Sequence, residues 1–161
     1  MSKSKQDAAV AADFDVQVGA LQYVAEADFG NDLRAIRRVV EAIKAPSGRL
    51  ILQGGGQPDL AVSDELLPLT SALYAVLRAL VAKDVAFLDR YSGPGVLRFE
   101  RAADAIMVSD DNGEERRYDG KSLLAALAAC AGRMTATLRA LKPQDAGWSA
   151  KLERLDKAPA G

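Results

Sequence analysis

Residues 119–141 read DGKSLLAALAACAGRMTATLRAL, and the fold is organised around them. Leu123, Leu127, Cys130, Met134, Leu138 and Leu141 recur at steps of three and four, which puts them on one side of a helix. Asp119 is placed to accept from a free backbone N–H as N-cap, and the chain turns apolar directly after it. Pro143 ends the helix, because it cannot donate and drives Lys142 out of helical geometry. Ala125, Ala126, Ala128, Ala129 and Ala131 flank the stripe and let a neighbouring element come close. The spacing therefore predicts a buried central helix. A membrane span is excluded, since Arg133 and Arg139 lie inside and no run of about 18 apolar residues exists.

A chain of 161 residues with about half of them apolar is expected to build one core without metals or disulfides. The expected organisation is a disordered tail over 1–12, a single α+β domain over 13–141, and a short helix with a frayed end over 142–161. The net charge of −1 favours neither nucleic acid nor an acidic membrane surface. The short apolar run Ala8–Ala12 is not a signal peptide, and a cytoplasmic location is expected. Cys130 is the only cysteine and lies on the buried stripe, where it serves as a small apolar residue.

The chain has no histidine. That removes Ser-His-Asp and Cys-His catalysis, imidazole acid/base chemistry and His metal ligands. Carboxylate pairs, lysine bases and magnesium held by Asp or Glu remain open. No cofactor, no metal site and no catalytic residue is expected.

Phe14, Val16 and Val18 alternate as in a strand, but Phe14, Val18, Leu21 and Ala25 fit a helix, and helix is preferred. A second helix is expected from Asp32 to Ala45, with Leu33, Ile36, Val40 and Ile43 inward. Arg34, Arg37 and Arg38 fall outside that stripe and read as a solvated face rather than a phosphate site. Arg49–Gln53 reads as a strand, and Leu60–Val62 as its return after Gly54-Gly55-Gly56. The glycine triplet lacks the Lys-Ser/Thr of a phosphate loop, and Pro58 interrupts any helix after it, so it reads as a hairpin turn. Asp64 is expected to cap a long helix running through Leu66, Leu69, Leu73, Leu77 and Leu80 and on through Phe87, Leu88 and Tyr91. The other reading breaks it at Lys83-Asp84 and makes Val85–Leu88 a strand. Trp148, Leu152 and Leu155 suggest a last short helix, with Trp148 docked on the body.

From Val96 to Tyr118 the period drops to two. With Asn112-Gly113 as a two-residue turn, the stretch reads as a three-stranded antiparallel meander. A first turn at Ala102-Ala103 sets Phe99 opposite Ile106 and Leu97 opposite Val108. The outer face is then expected to carry Arg98, Glu100, Met107 and Tyr118. Asp110–Glu115 has its glycine at the wrong position for a calcium loop and reads as a polar tip. Arg116 and Arg117, beside Glu114 and Glu115, read as edge-strand charge. Five basic residues face seven acidic ones from Val96 to Lys121, the reverse of a nucleic-acid surface. The sum is an α+β two-layer fold, with a meander and a hairpin packed against long helices.

Two family resemblances follow from these elements. Val96–Leu141 resembles small bacterial immunity proteins that neutralise a secreted toxin. The likeness lies in Leu97-Arg98-Phe99, the Asn112-Gly113 hairpin, a strand ending at Tyr118 and a helix from Ser122 to Leu141. The element order from Asp32 to Leu141 resembles roadblock/longin-type modules, which dimerise and bind small GTPases. Both imply a non-catalytic module whose partner is another protein, a toxin or an adaptor target, with a homodimer compatible and no nucleic acid or membrane. A carboxylate- or lysine-based enzyme and a self-assembling structural protein are the other classes. The expected partner-binding residues are Arg98, Glu100, Arg116 and Tyr118, gathered on the outer side of the sheet.

Overall fold

A computed structural model describes residues 9–29, 33–34, 36–38, 46–141 and 146–157. It is an α+β two-layer fold with two antiparallel four-stranded sheets. The first holds β1 (Ala11–Gly19), β2 (Gln22–Ala25), β3 (Ser47–Gly54) and β4 (Gln57–Glu65), in the order β2-β1-β3-β4. The second holds β5 (Val85–Asp89), β6 (Val96–Ala102), β7 (Ala105–Ser109) and β8 (Glu115–Asp119), in chain order. Helix α1 (Leu66–Ala82) joins the sheets; α2 (Gly120–Leu141) and α3 (Ala146–Lys157) follow them. No helix among the described residues is long and apolar enough to cross a membrane.

The helices exchange partners. Helix α1 leaves the first sheet yet packs closely on β5, and α2 leaves the second sheet yet packs closely on β1. One buried cluster therefore runs through both sheets, from Ala12, Phe14 and Leu50 to Phe99, Ile106 and Val108, with Leu73, Leu127 and Met134 between them. Where α1 and α2 meet, the Tyr74 hydroxyl lies 3.3 Å from Thr135 Oγ1. Asp119 caps α2 as expected, its carboxylate accepting from Ser122 N at 3.0 Å.

Several expectations are corrected. Residues 11–25 form a hairpin rather than a helix. Ala12, Phe14 and Val16 are buried with period two, and β1 pairs with β3 from Ala11 to Val16. Ala11 and Ala12 thus belong to a strand, not to a tail. The long helix ends at Ala82, where Lys83 turns extended (φ −138°, ψ 167°), and Val85–Asp89 is a strand. Its near-helical spacing was coincidental, since Ala86 and Leu88 point inward and Phe87 outward. Asp64 lies in β4 and caps nothing; the N-cap of α1 is Glu65, without a side-chain cap bond. Instead the Asp64 carboxylate accepts from the N–H groups of Glu65 (2.8 Å), Tyr91 (2.6 Å) and Ser92 (3.0 Å), and from the Ser92 hydroxyl (2.5 Å). Burial works to raise this carboxyl, but the bonds from Ser92, Tyr91 and Glu65 outweigh it and hold it below its ordinary value.

Other expectations hold. The β3–β4 hairpin turns at Gly55-Gly56, both at positive φ (67° and 69°). Leu33, Arg34 and Ile36–Arg38 are helical, with Ile36 fully buried and all three arginines exposed; the rest of the expected 32–45 helix lies outside the described residues. Arg37 Nε donates to Ala140 O, near the C-terminus of α2. The tail over 1–8, the end after Lys157 and the docking of the Trp148 side chain also lie outside what is described.

Candidate functional site

The second sheet presents one face to the helices and, among the described residues, leaves the other open. Alternation settles which residues go where. Ala86, Leu88, Leu97, Phe99, Ile106 and Val108 are buried on the inner face. The outer face is set by strand register. Val85 stands opposite Glu100, Glu100 opposite Met107, and Met107 opposite Arg117. One step along, Phe87 stands opposite Arg98, Arg98 opposite Ser109, and Ser109 opposite Glu115. Phe87 is 54% exposed in spite of its size. Arg98 and Glu100 form an ion pair at 2.7 Å, each with more than two fifths of its side chain in solvent. Arg117 Nη1 lies 3.8 Å from Met107 Sδ.

Only half of the expected site is therefore on this face. Arg98 and Glu100 are there; Arg116 and Tyr118 are on the opposite side. Arg116 is paired with Val108, and Tyr118 with Ile106, both inward residues. The cause is the loop before β8. A two-residue Asn112-Gly113 turn would set Ser109 opposite Arg116. Instead Ser109 faces Glu115, and residues 110–114 form a five-residue loop. Asp110 builds it: its N–H donates to Glu114 O, and its Oδ1 accepts from the N–H groups of Asn112 and Glu114, both at 2.9 Å. A one-residue change of register moves every side chain of β8 to the other face. The β6–β7 turn also differs, with Ala102 opposite Ala105 and Phe99 opposite Val108. That shift is even, so the inward set is unchanged.

The two displaced residues have structural work. Arg116 Nε donates to Pro58 O at 2.9 Å, and its Nη1 pairs with Glu114 at 3.0 Å. Next to it, the Gln57 amide spans the outward N–H and C=O of Arg117, each at 2.8 Å. These contacts tie β4 to the open edge of β8. Tyr118 is 2% exposed, and among the described residues its hydroxyl has no hydrogen-bond partner. Burial raises its pKa. Removing an unpaired buried hydroxyl relieves a desolvation cost, so Tyr118→Phe is expected to stabilise the fold by about 1 kcal/mol. Chemical denaturation would measure this, and a loss of stability would show that the hydroxyl is paired.

A cleft of about 700 Å³ lies beside β8, with Gln57, Asp104, Asp119 and Ser122 among its lining. Two of its groups are already committed: Gln57 to Arg117, and Asp119 to the N–H and hydroxyl of Ser122. The Ser122 bonds hold the Asp119 carboxyl below its ordinary value. Among the described residues, no three His, Cys, Asp or Glu side chains cluster where a metal could be held. The Cys130 thiol is fully buried, and burial pushes it up to about 12, so it stays protonated at neutral pH.

Phe87 and Arg117 are among the members of this face that sequence reasoning missed. Phe87 was absorbed into a helical stripe, although the Lys83-Asp84 break signals the strand. Arg117 was displaced by the register of its loop. No protein-family profile, curated protein or solved structure matches the chain.

Proposed function

We propose that this chain is a non-catalytic protein-binding module that docks its partner on the open face of the second sheet. What carries the reading is Phe87, half exposed on this face, with Arg98 opposite it on the neighbouring strand and Glu100 one outward position further along that strand. Aromatic and arginine side chains contribute a disproportionate share of interface energy, and mixed charges around them select the partner. The helices already cover the inner face, so the outer one is free to meet another protein. The immunity-type reading, with a bacterial toxin as partner, draws support from the succession of β6, β7, an acidic loop, β8 and α2.

The test is co-purification from the source cell with wild type and the double variant Phe87→Asp/Arg98→Ala. Both positions point to solvent, so the fold is expected to survive, with an unchanged circular dichroism spectrum. Loss of an anchor of this kind costs about 2 kcal/mol, roughly thirtyfold in affinity. Equal recovery of the same partners by the folded variant would exclude this face as the site.

A further inference from the structure

We infer that the open face of the second sheet is complementary to itself, and that in the free chain a second copy covers it about a two-fold axis. This rests on reading that face as a protein-docking surface. Two rows of its side chains cross all four strands at the middle of the sheet. One row is Val85, Glu100, Met107 and Arg117; the other is Phe87, Arg98, Ser109 and Glu115. Between them runs the inward row Ala86, Phe99, Val108 and Arg116. On every strand the members of these two rows are therefore two residues apart.

Place a two-fold axis in the plane of contact, across the strands and over that inward row. It lays each strand on its own copy in the reverse direction and exchanges the two rows. Glu100 then meets Arg98 of the second copy, and Arg117 meets Glu115 of the second copy. Val85 meets Phe87, and Met107 meets Ser109. Within these two rows every cation finds an anion, and the aromatic ring finds an aliphatic side chain. Such exchange of positions is what an isologous interface requires. Aligned packing of two twisted sheets is also a common geometry. An axis parallel to the strands fails, because it sets Glu100 on Met107 and Phe87 on Glu115. The Arg98–Glu100 pair, already closed at 2.7 Å within one chain, becomes half of a four-membered square in which the charges alternate.

Sedimentation equilibrium over a concentration series reads this directly. Wild type is expected to form a dimer. Arg98→Glu sets four carboxylates together and Glu100→Arg sets four guanidinium groups together, and each should weaken the dimer about a hundredfold or more. The double swap Arg98→Glu/Glu100→Arg should restore it, because the axis exchanges the two positions. Mixing the two single variants should give a 1:1 heterodimer. A wild type that stays monomeric, a dimer indifferent to Arg98→Glu, or a double swap no better than the singles would each overturn the inference. The failures separate cleanly. A monomer that still loses its partner with Phe87→Asp/Arg98→Ala overturns the dimer and leaves the docking face standing. A dimer whose partner capture ignores that variant does the opposite to the docking of a foreign protein.

Discussion

Leu127→Asp is expected to leave the chain unfolded or insoluble. Leu127 is fully buried in the middle of α2, the helix that packs on α1, β1, β7 and β8 at once. A carboxylate there loses its water and meets only the apolar cluster around Leu123, Cys130 and Met134. An unpaired charge in such a place costs several kcal/mol, comparable with the roughly 5–15 kcal/mol that holds a domain together. Circular dichroism during heating is the measurement. A cooperative melt within a few degrees of wild type would show that α2 does not face the core.

Gly48→Ala is expected to be nearly as harmful, for a steric reason. A Cβ at Gly48 would lie 1.9 Å from the carbonyl oxygen of Asp15 and 3.0 Å from Leu66 Cδ2. The strands are drawn together there by Asp15 and Arg49. Arg49 N donates to Asp15 Oδ1 at 2.9 Å, and its guanidinium donates to Oδ2 at 2.8 and 2.6 Å while lying 3.8 Å above the Tyr23 ring. An alanine must push β1 from β3 by roughly 1 Å in an interior with no slack. The expected cost is about 3 kcal/mol, a fall of roughly 6–12 °C in Tm. Gly132→Ala is the control: nothing lies within 4 Å of its Cβ, and loss of a mid-helix glycine should stabilise by about 0.5–1 kcal/mol. An unchanged Tm for Gly48→Ala would mean that β1 and β3 are not in this register.

What was legible in the sequence was local. The stripe from Leu123 to Leu141, its Asp119 cap and the glycine turn between β3 and β4 need only their own residues to be read. The α+β class followed from them. What was not legible was decided by pairing. Phe14, Val16 and Val18 fit two periods, and only β3, more than thirty residues on, selects the extended one. Val85–Asp89 kept the phase of the helix before it, and its ladder with β6 overrides that phase. For the open face, Arg98 and Glu100 were found because β6 alternates cleanly. Arg116 and Tyr118 were misplaced because Asp110 adds backbone bonds that lengthen its loop beyond the expected turn. The sequence carries Asp110, but the parity it sets depends on a geometry that alternation alone does not contain.

The exchange of helices between the sheets has a consequence for synthesis. Arg133 of α2 donates to Ala12 O at 2.6 Å, and its guanidinium also reaches Glu26, whose carboxylate accepts from Phe14 N. The first strand is thus completed by a residue made 121 positions later. As the nascent chain leaves the ribosome, β1 and β3 emerge long before α2, which completes the cover of β1. Contacts this distant in sequence slow folding and prolong exposure of unpaired strands. Until α2 arrives, the burden during translation falls on whatever shields nascent chains.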